Sequence, residues 1–366
     1  MTAVKPVLDA YLELNLVLVL AAFVWLAVRA ALAKTPLQHG FVIQLRALKA
    51  LCLCVVLSPA LALGVFALAA QTSARGVVAI GDIAVAAYLR GDIAMPATQF
   101  EALLNTRQRW GDLVFSGEYP VVSAVIVLLA IISVGYAVRI AYDALAIRNT
   151  INSSYLWRRS AKVDIRLSDR IAVPFAVRGL RRRHVVLPSH LLDTPRELRF
   201  ALAHELQHVR AGDVEWELGF ELMRPLLFWN PAYVVLKYQF DRLRELACDQ
   251  SVVARRGINA RDYTTCLLDY CARTVVQGSP RVLNVALVTG GKAKRVLRQR
   301  VIALAEAPSV QSSMPLLFLG LTIAFAMVLG LAAASVRQAD DWSHDRIMLS
   351  TVVNLERLEA RSSQTD

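Results

Sequence analysis

The sequence predicts an α-helical membrane protein with four transmembrane helices and an α+β domain inserted before the last of them. Three observations carry this. Of the 366 residues, 56% are hydrophobic, and the mean hydropathy is +0.45. Four apolar stretches are long enough for a bilayer core of ~30 Å, which takes ~20 helical residues. The segment between the third and fourth is polar and patterned first as strands, then as helices. The formal charge of +12 would also suit a nucleic-acid partner, so its distribution matters.

The spans run from about Leu14 to Leu32, Ala47 to Ala70, Pro120 to Ala141 and Pro315 to Val336. Pro59, Gly64, Gly135, Gly320 and Gly330 fall inside them, and spanning helices tolerate both residue types. Ala31-Leu32-Ala33 resembles a signal-peptide cleavage site, but Asp9, Glu13 and Arg29 and the length of the apolar run speak against one. Residues Gly76 to Leu89 form a short apolar stretch interrupted by Asp82, which reads as an interfacial or loop helix.

Loop charges set the orientation. Lys34, flanked by Arg29, Arg46 and Lys49 with no acid, marks the first connection as cytoplasmic. The loop 71–119 sets Arg75, Arg90, Arg107 and Arg109 against Asp82, Asp92, Glu101, Asp112 and Glu118, so it is expected outside. Residues 142–314 are rich in base, with Arg139, Arg148, Arg295, Arg298 and Arg300 close to span ends, and are expected inside. The tail 337–366 carries Asp340, Asp341, Asp345, Glu356 and Glu359, which places both termini outside. Topology thus absorbs most of the positive charge. The run Arg181-Arg182-Arg183 has no aromatic platform or recognition helix beside it, so direct nucleic-acid binding is not expected. Cys52, Cys54, Cys248, Cys266 and Cys271 form no CxxC pair and read as reduced thiols.

Within the inserted domain, residues 161–167, 171–177 and 184–188 read as strands around a basic turn. Thr194-Pro195-Arg196-Glu197 has the form of a capping box, opening a helix that Gly212 stops. Leu198, Leu202, Leu206 and Val209 mark its apolar side. The same helix carries His204-Glu205-Leu206-Gln207-His208. Residues four apart share a face, so His204 and His208 can present imidazoles to one metal ion, with Glu205 beside it. Two neutral imidazoles, a carboxylate to take a proton from an activated water and an open coordination position are what zinc-dependent amide hydrolysis requires.

A second helix is read from Phe240 to Ala254, with Glu245 and Asp249 one turn apart. Glu245 can complete the zinc site, or pair instead with Arg242 or Arg244. Asp249 can orient a ligand imidazole through its second N–H. Cys248 is expected to pack as a small apolar residue. Asp213 is either support for the site or a cap near Gly212. Tyr263 and Arg256 are candidate oxyanion donors, and neither is assignable from sequence.

The His-Glu-Leu-Gln-His motif, followed by Val-Arg-Ala-Gly-Asp213, Phe228-Trp229-Asn230-Pro231 and Arg244-Glu245-Leu246-Ala247-Cys248-Asp249, resembles the BlaR/MecR-type membrane metallopeptidases, sensor-transducers of beta-lactam resistance. The resemblance runs from about the first span to the last. It implies a cytoplasmic gluzincin-like domain holding one zinc ion, with His204, His208 and Glu245 as ligands and Glu205 as catalytic base. It also implies a bacterial inner-membrane protein with outside termini that could form a homo-oligomer. The substrate would be a cytosolic BlaI/MecI-like transcriptional repressor, or the chain itself. One departure stands out: no Ser-x-x-Lys pair follows Val336, so covalent beta-lactam sensing by the tail is not expected. The rival from another class is a non-proteolytic membrane transducer whose zinc domain acts by protein binding. A structural zinc would have no need of Glu205.

Overall fold

A computed structural model describes residues 4–71, 80–104, 120–179, 181–256, 258–276, 290–306, 315–336 and 344–362. Its helices are α1 (Val4–Leu32), α2 (Phe41–Val56), α3 (Ser58–Gln71), α4 (Ile80–Leu89), α5 (Ala97–Leu104) and α6 (Pro120–Asn152). Strands β1 (Tyr155–Arg159), β2 (Val163–Ser168), β3 (Phe175–Arg178) and β4 (Arg183–Pro188) follow. Then come α7 (Pro195–Ala211), α8 (Asp213–Leu227), α9 (Pro231–Arg256), α10 (Ala260–Val276), α11 (Gly290–Glu306), α12 (Pro315–Val336) and α13 (His344–Ser362). The chain divides into two compact units: residues 1–23, 50–129 and 319–366 in the first, and 24–49 and 130–318 in the second.

Among the described residues, three helices are long and apolar enough to cross a membrane: Ala10–Leu32, Pro120–Asn152 and Leu316–Ala334. The stretch expected as one span over 47–70 is apolar enough only as a pair of helices, a broken span or a re-entrant loop. It forms α2 and α3, bent by 70° at a short break. Pro59 has no N–H to continue the helical ladder, and the chain turns there. The third apolar helix runs on to Asn152, beyond the expected end at Ala141.

In the first unit, α4 covers the part of the Gly76–Leu89 stretch that is described, and α5 follows it. The tail is not merely a polar extension. Its helix α13 packs Leu349 and Val353 against Val85, Ala97 and Phe100, with Tyr88 stacked on Phe100 at 4.3 Å. Glu356 accepts the Thr98 N–H at 2.9 Å, capping α5, and Arg357 pairs with Glu101 at 2.6 Å.

In the second unit the sheet order is β1-β2-β4-β3. Strand β2 lies parallel to β4 with Val163 opposite Arg183 and Leu167 opposite Leu187, while β1 and β3 pair antiparallel on the outside. Alternation sends Ile165, Leu167, Val185 and Leu187 to one face, where they bury against Val209 and against Leu198, Leu202 and Leu206 of α7. The expected apolar side of α7 is therefore the side that meets the sheet. On the opposite side, buried Asp164 holds Arg182 at 3.0 Å and Arg159 at 3.4 Å; Arg183, on the same face as Val185 and Leu187, pairs with Glu215 at 2.6 Å. Two of the three arginines at 181–183 are thus engaged within the domain.

Helix α7 has the boundaries that its sequence signals predict, but not the predicted cap. Thr194 makes no side-chain capping bond, and its hydroxyl is directed instead at the Leu191 carbonyl, 3.5 Å away. The 3₁₀ turn Ser189–Asp193 just before it supplies that nearby acceptor. At the other end Gly212 adopts φ +68°, ψ 24°, and its N–H donates to the His208 carbonyl. Only glycine takes this conformation without a Cβ penalty. It turns the chain sharply enough for α8 to start at the next residue.

Candidate metal centre and active site

Five helices, α7 to α11, and Lys49 of α2 build the site. Helix α7 presents His204 and His208 on adjacent turns, their rings 4.7 Å apart and nearly perpendicular. Their Nε2 atoms lie 3.1 Å from each other. Helix α9 is positioned by Asn230, whose Oδ1 accepts the Ala232 N–H at 2.9 Å, and by Pro231 at its first position. It brings in Glu245, whose Oε2 is 3.5 Å from His204 Nε2 and whose Oε1 is 3.8 Å from His208 Nε2. Three atoms each ~2.0–2.1 Å from one tetrahedral zinc would stand about 3.4 Å apart. The Nε2–Nε2 separation is close to that value, and the Glu245 carboxylate faces both imidazoles, one oxygen toward each, so two imidazoles and a carboxylate suit a zinc ion in chemistry. Glu205 is one residue beyond His204, ~100° further around α7, and only 9% exposed.

The far edges of both imidazoles are held by carboxylates. His208 Nδ1 meets Asp213 Oδ2 at 2.9 Å, a contact made possible by the Gly212 corner. His204 Nδ1 lies 3.3 Å from Asp249 Oδ1 and 3.0 Å from the Tyr263 hydroxyl, which itself donates to Asp249 at 2.8 Å. This arrangement fixes Nδ1 as the protonated nitrogen and turns each Nε2 lone pair toward Glu245. The sequence-predicted residues His204, His208, Glu245, Asp249 and Asp213 are therefore brought together.

Cys248 is buried, and it packs with Ala203, Val252, Ile258, Tyr263 and Leu304 as expected. Yet donor atoms of His204, His208 and Cys248 also lie within 4.8 Å of one another. Its sulfur is 3.4 Å from His204 Nδ1. Ligation through that nitrogen would displace its contacts with Asp249 and Tyr263. The Nε2 set with Glu245 leaves every Nδ1 partner in place.

Charge is balanced tightly around these groups. Burial alone would drive the His208 imidazole toward neutrality, but Cys248 and Asp213 outweigh it and hold the pKa up to about 10. His204 is likewise held well above the usual histidine range, with burial opposed by Cys248, Tyr263 and Asp249. A Lewis acid competes for the same Nε2 lone pair as a proton, so these partners also strengthen the ligand. Glu245 stays ionised well below the ordinary carboxylate range: burial opposes this, and His204, Arg300 and Arg244 overcome it.

Two residues of this network were read from sequence only as topological charge. Arg300, on α11, donates to both oxygens of Asp249 at 2.7 Å and lies 3.4 Å from Glu245 Oε2. Lys49, on α2, reaches Asp213 Oδ1 at 2.6 Å. The expected alternative partner of Glu245 is half right. Arg244 does contact Oε1 at 3.1 Å, whereas Arg242 donates to Gln299. Tyr263 lies behind His204, buried against Asp249, and is not placed to receive an oxyanion in front of the Nε2 atoms. The Arg256 side chain lies outside the described residues.

Comparison with known proteins bears on this geometry. The family model described as BlaR1 peptidase M56 matches residues 10–304. Methicillin resistance mecR1 proteins of Staphylococcus aureus and Staphylococcus epidermidis are 29% identical over 93 residues, 25% of this chain. The chain covers 16% of the length of those relatives.

Proposed function

The chain belongs to the BlaR1 peptidase M56 family, and from that premise we propose that it is a zinc-dependent membrane endopeptidase of gluzincin type. The observation that carries this is the convergence of His204 Nε2, His208 Nε2 and a Glu245 carboxylate at separations suited to one tetrahedral ion, with Glu205 adjacent. When bound, zinc supplies Lewis acidity toward water and a peptide carbonyl. Glu205 takes the proton from the attacking water and delivers it to the leaving amine, a general base turned general acid. Asp213 and Asp249 hold the imidazoles in one tautomer. Arg300 and Arg244 keep Glu245 ionised, and burial of the pocket strengthens each of these interactions.

The basic flanks of the spans support a cytoplasmic peptidase domain with both termini outside. The named role of the staphylococcal relatives in methicillin resistance supports a regulatory substrate. We take this to be a cytosolic BlaI/MecI-like repressor, or the chain itself, cleaved in transmembrane signalling.

Replacing Glu205→Gln retains shape while removing the base. Purified full-length variant in lipid nanodiscs should bind zinc stoichiometrically, and cells carrying it should accumulate uncleaved repressor and uncleaved receptor. Normal processing in those cells would refute the peptidase reading.

A further inference from the structure

We propose that Lys49 is a positioning residue through which the second apolar helix sets the orientation of the metal ligand His208. The inference goes beyond the peptidase reading but rests on it, since it takes His208 as a ligand. Lys49 belongs to α2 (Phe41–Val56) and lies in the same compact unit as the site.

Its ammonium makes two contacts at once. It donates to Asp213 Oδ1 at 2.6 Å and to the Ala211 carbonyl at 3.1 Å. The first contact fixes the carboxylate whose other oxygen holds His208 Nδ1 at 2.9 Å. The second places a cation at the C-terminal end of α7, where carbonyls lack helical partners and the helix dipole favours positive charge. Asp213 is 2% exposed and Lys49 13%, so water screens the pair little. A lysine in an apolar helix is costly to bury and needs such a reason to be there.

Other contacts clamp the same hairpin. Arg29, at the end of α1, donates to Gln239 of α9 at 2.7 Å, and Gln250 of α9 donates to the His39 carbonyl at 3.0 Å. The segment from Arg29 to Lys49 is therefore fastened to both ligand-bearing helices, to α9 through Arg29 and His39 and to α7 through Lys49. A cavity of about 210 Å³ beside this contact, lined by Arg46, Lys49, Arg210, Asp213 and Cys248 among others, leaves α2 room to shift against α7. Moving Lys49 pulls on Asp213, and Asp213 carries the displacement to the imidazole.

The test uses the full chain in nanodiscs, with zinc alone as the probe. Zinc affinity is measured by chelator competition for wild type, Lys49→Met, Lys49→Arg, Asp213→Asn and the double variant Lys49→Met/Asp213→Asn. Loss of an outer partner of a metal ligand weakens binding about 10–100-fold. We expect about tenfold for Lys49→Met, substantial recovery in Lys49→Arg, and less-than-additive loss in the double variant. Thermal unfolding followed on the same samples separates misfolding from misorientation. A Lys49→Met protein that unfolds like wild type and binds zinc equally well would overturn this proposal alone. A well-folded wild type that binds no zinc would overturn the functional reading beneath it.

Discussion

Replacing Asp249→Asn tests whether the buried charge network holds the site together. The Asp249 carboxylate is 1% exposed and accepts two bonds from Arg300 at 2.7 Å and one from Tyr263 at 2.8 Å, besides facing His204. Asparagine keeps the volume but removes the charge and one acceptor. Arg300 then retains Glu245 alone, at 3.4 Å. Breaking a buried ion pair by neutralising one partner costs about 3–5 kcal/mol, because the surviving charge stays buried. Glu245 offers Arg300 partial compensation, so we expect the lower end, about 3 kcal/mol. The assay is thermal unfolding of the full chain in nanodiscs, with limited proteolysis between α9 and α11 as a local probe. Adding Arg300→Gln should restore much of the loss, since removing both charges together avoids the unpaired state. An Asp249→Asn chain as stable and as protease-resistant as wild type would refute the reasoning.

Two further predictions rest on other parts of the second unit. Gly212→Ala forces a Cβ onto a residue at φ +68° and should cost about 1–2 kcal/mol in thermal unfolding, with zinc affinity falling as Asp213 shifts; an unchanged unfolding midpoint would show that the corner is not strained. His184 on β4 has its pKa lowered from 6.5 by burial, against an opposing pull from Asp164. The unfolded chain therefore takes up the proton first, so the domain should lose stability as pH falls below about 6.5 and regain it above, and a His184→Gln chain should lose this component of the pH profile.

The sequence was most legible where local chemistry decides structure. Pro195 and Gly212 bound α7 because each acts through its own backbone, and the four-residue spacing of His204 and His208 is a property of any helix. Asp249 was legible as an acid one turn from Glu245, whereas Asp213, just past the Gly212 corner, read equally as support or as a cap. What escaped depends on distant partners. Thr194 resembled a cap, but the turn before it offered a nearer acceptor. Leu349 and Val353 of the tail show their role only once Phe100 and Val85 are beside them. Lys49 and Arg300 matched the charge bias of span ends, and nothing local distinguishes a lysine that faces headgroups from one that reaches Asp213. Pro59 could have been accommodated within a straight span, but the chain bends by 70° at the break just before it.

The placement of Arg300 also governs when the site comes into being. His204, His208 and Asp213 leave the ribosome within one short stretch of chain, and Glu245 and Asp249 follow, but the arginine that neutralises Asp249 lies 51 residues later still. At about 5–20 residues per second, that gap lasts roughly 3–10 s. During it, Asp249 is without its principal counter-charge. A nascent chain therefore carries an incompletely assembled centre until Arg300 has been added.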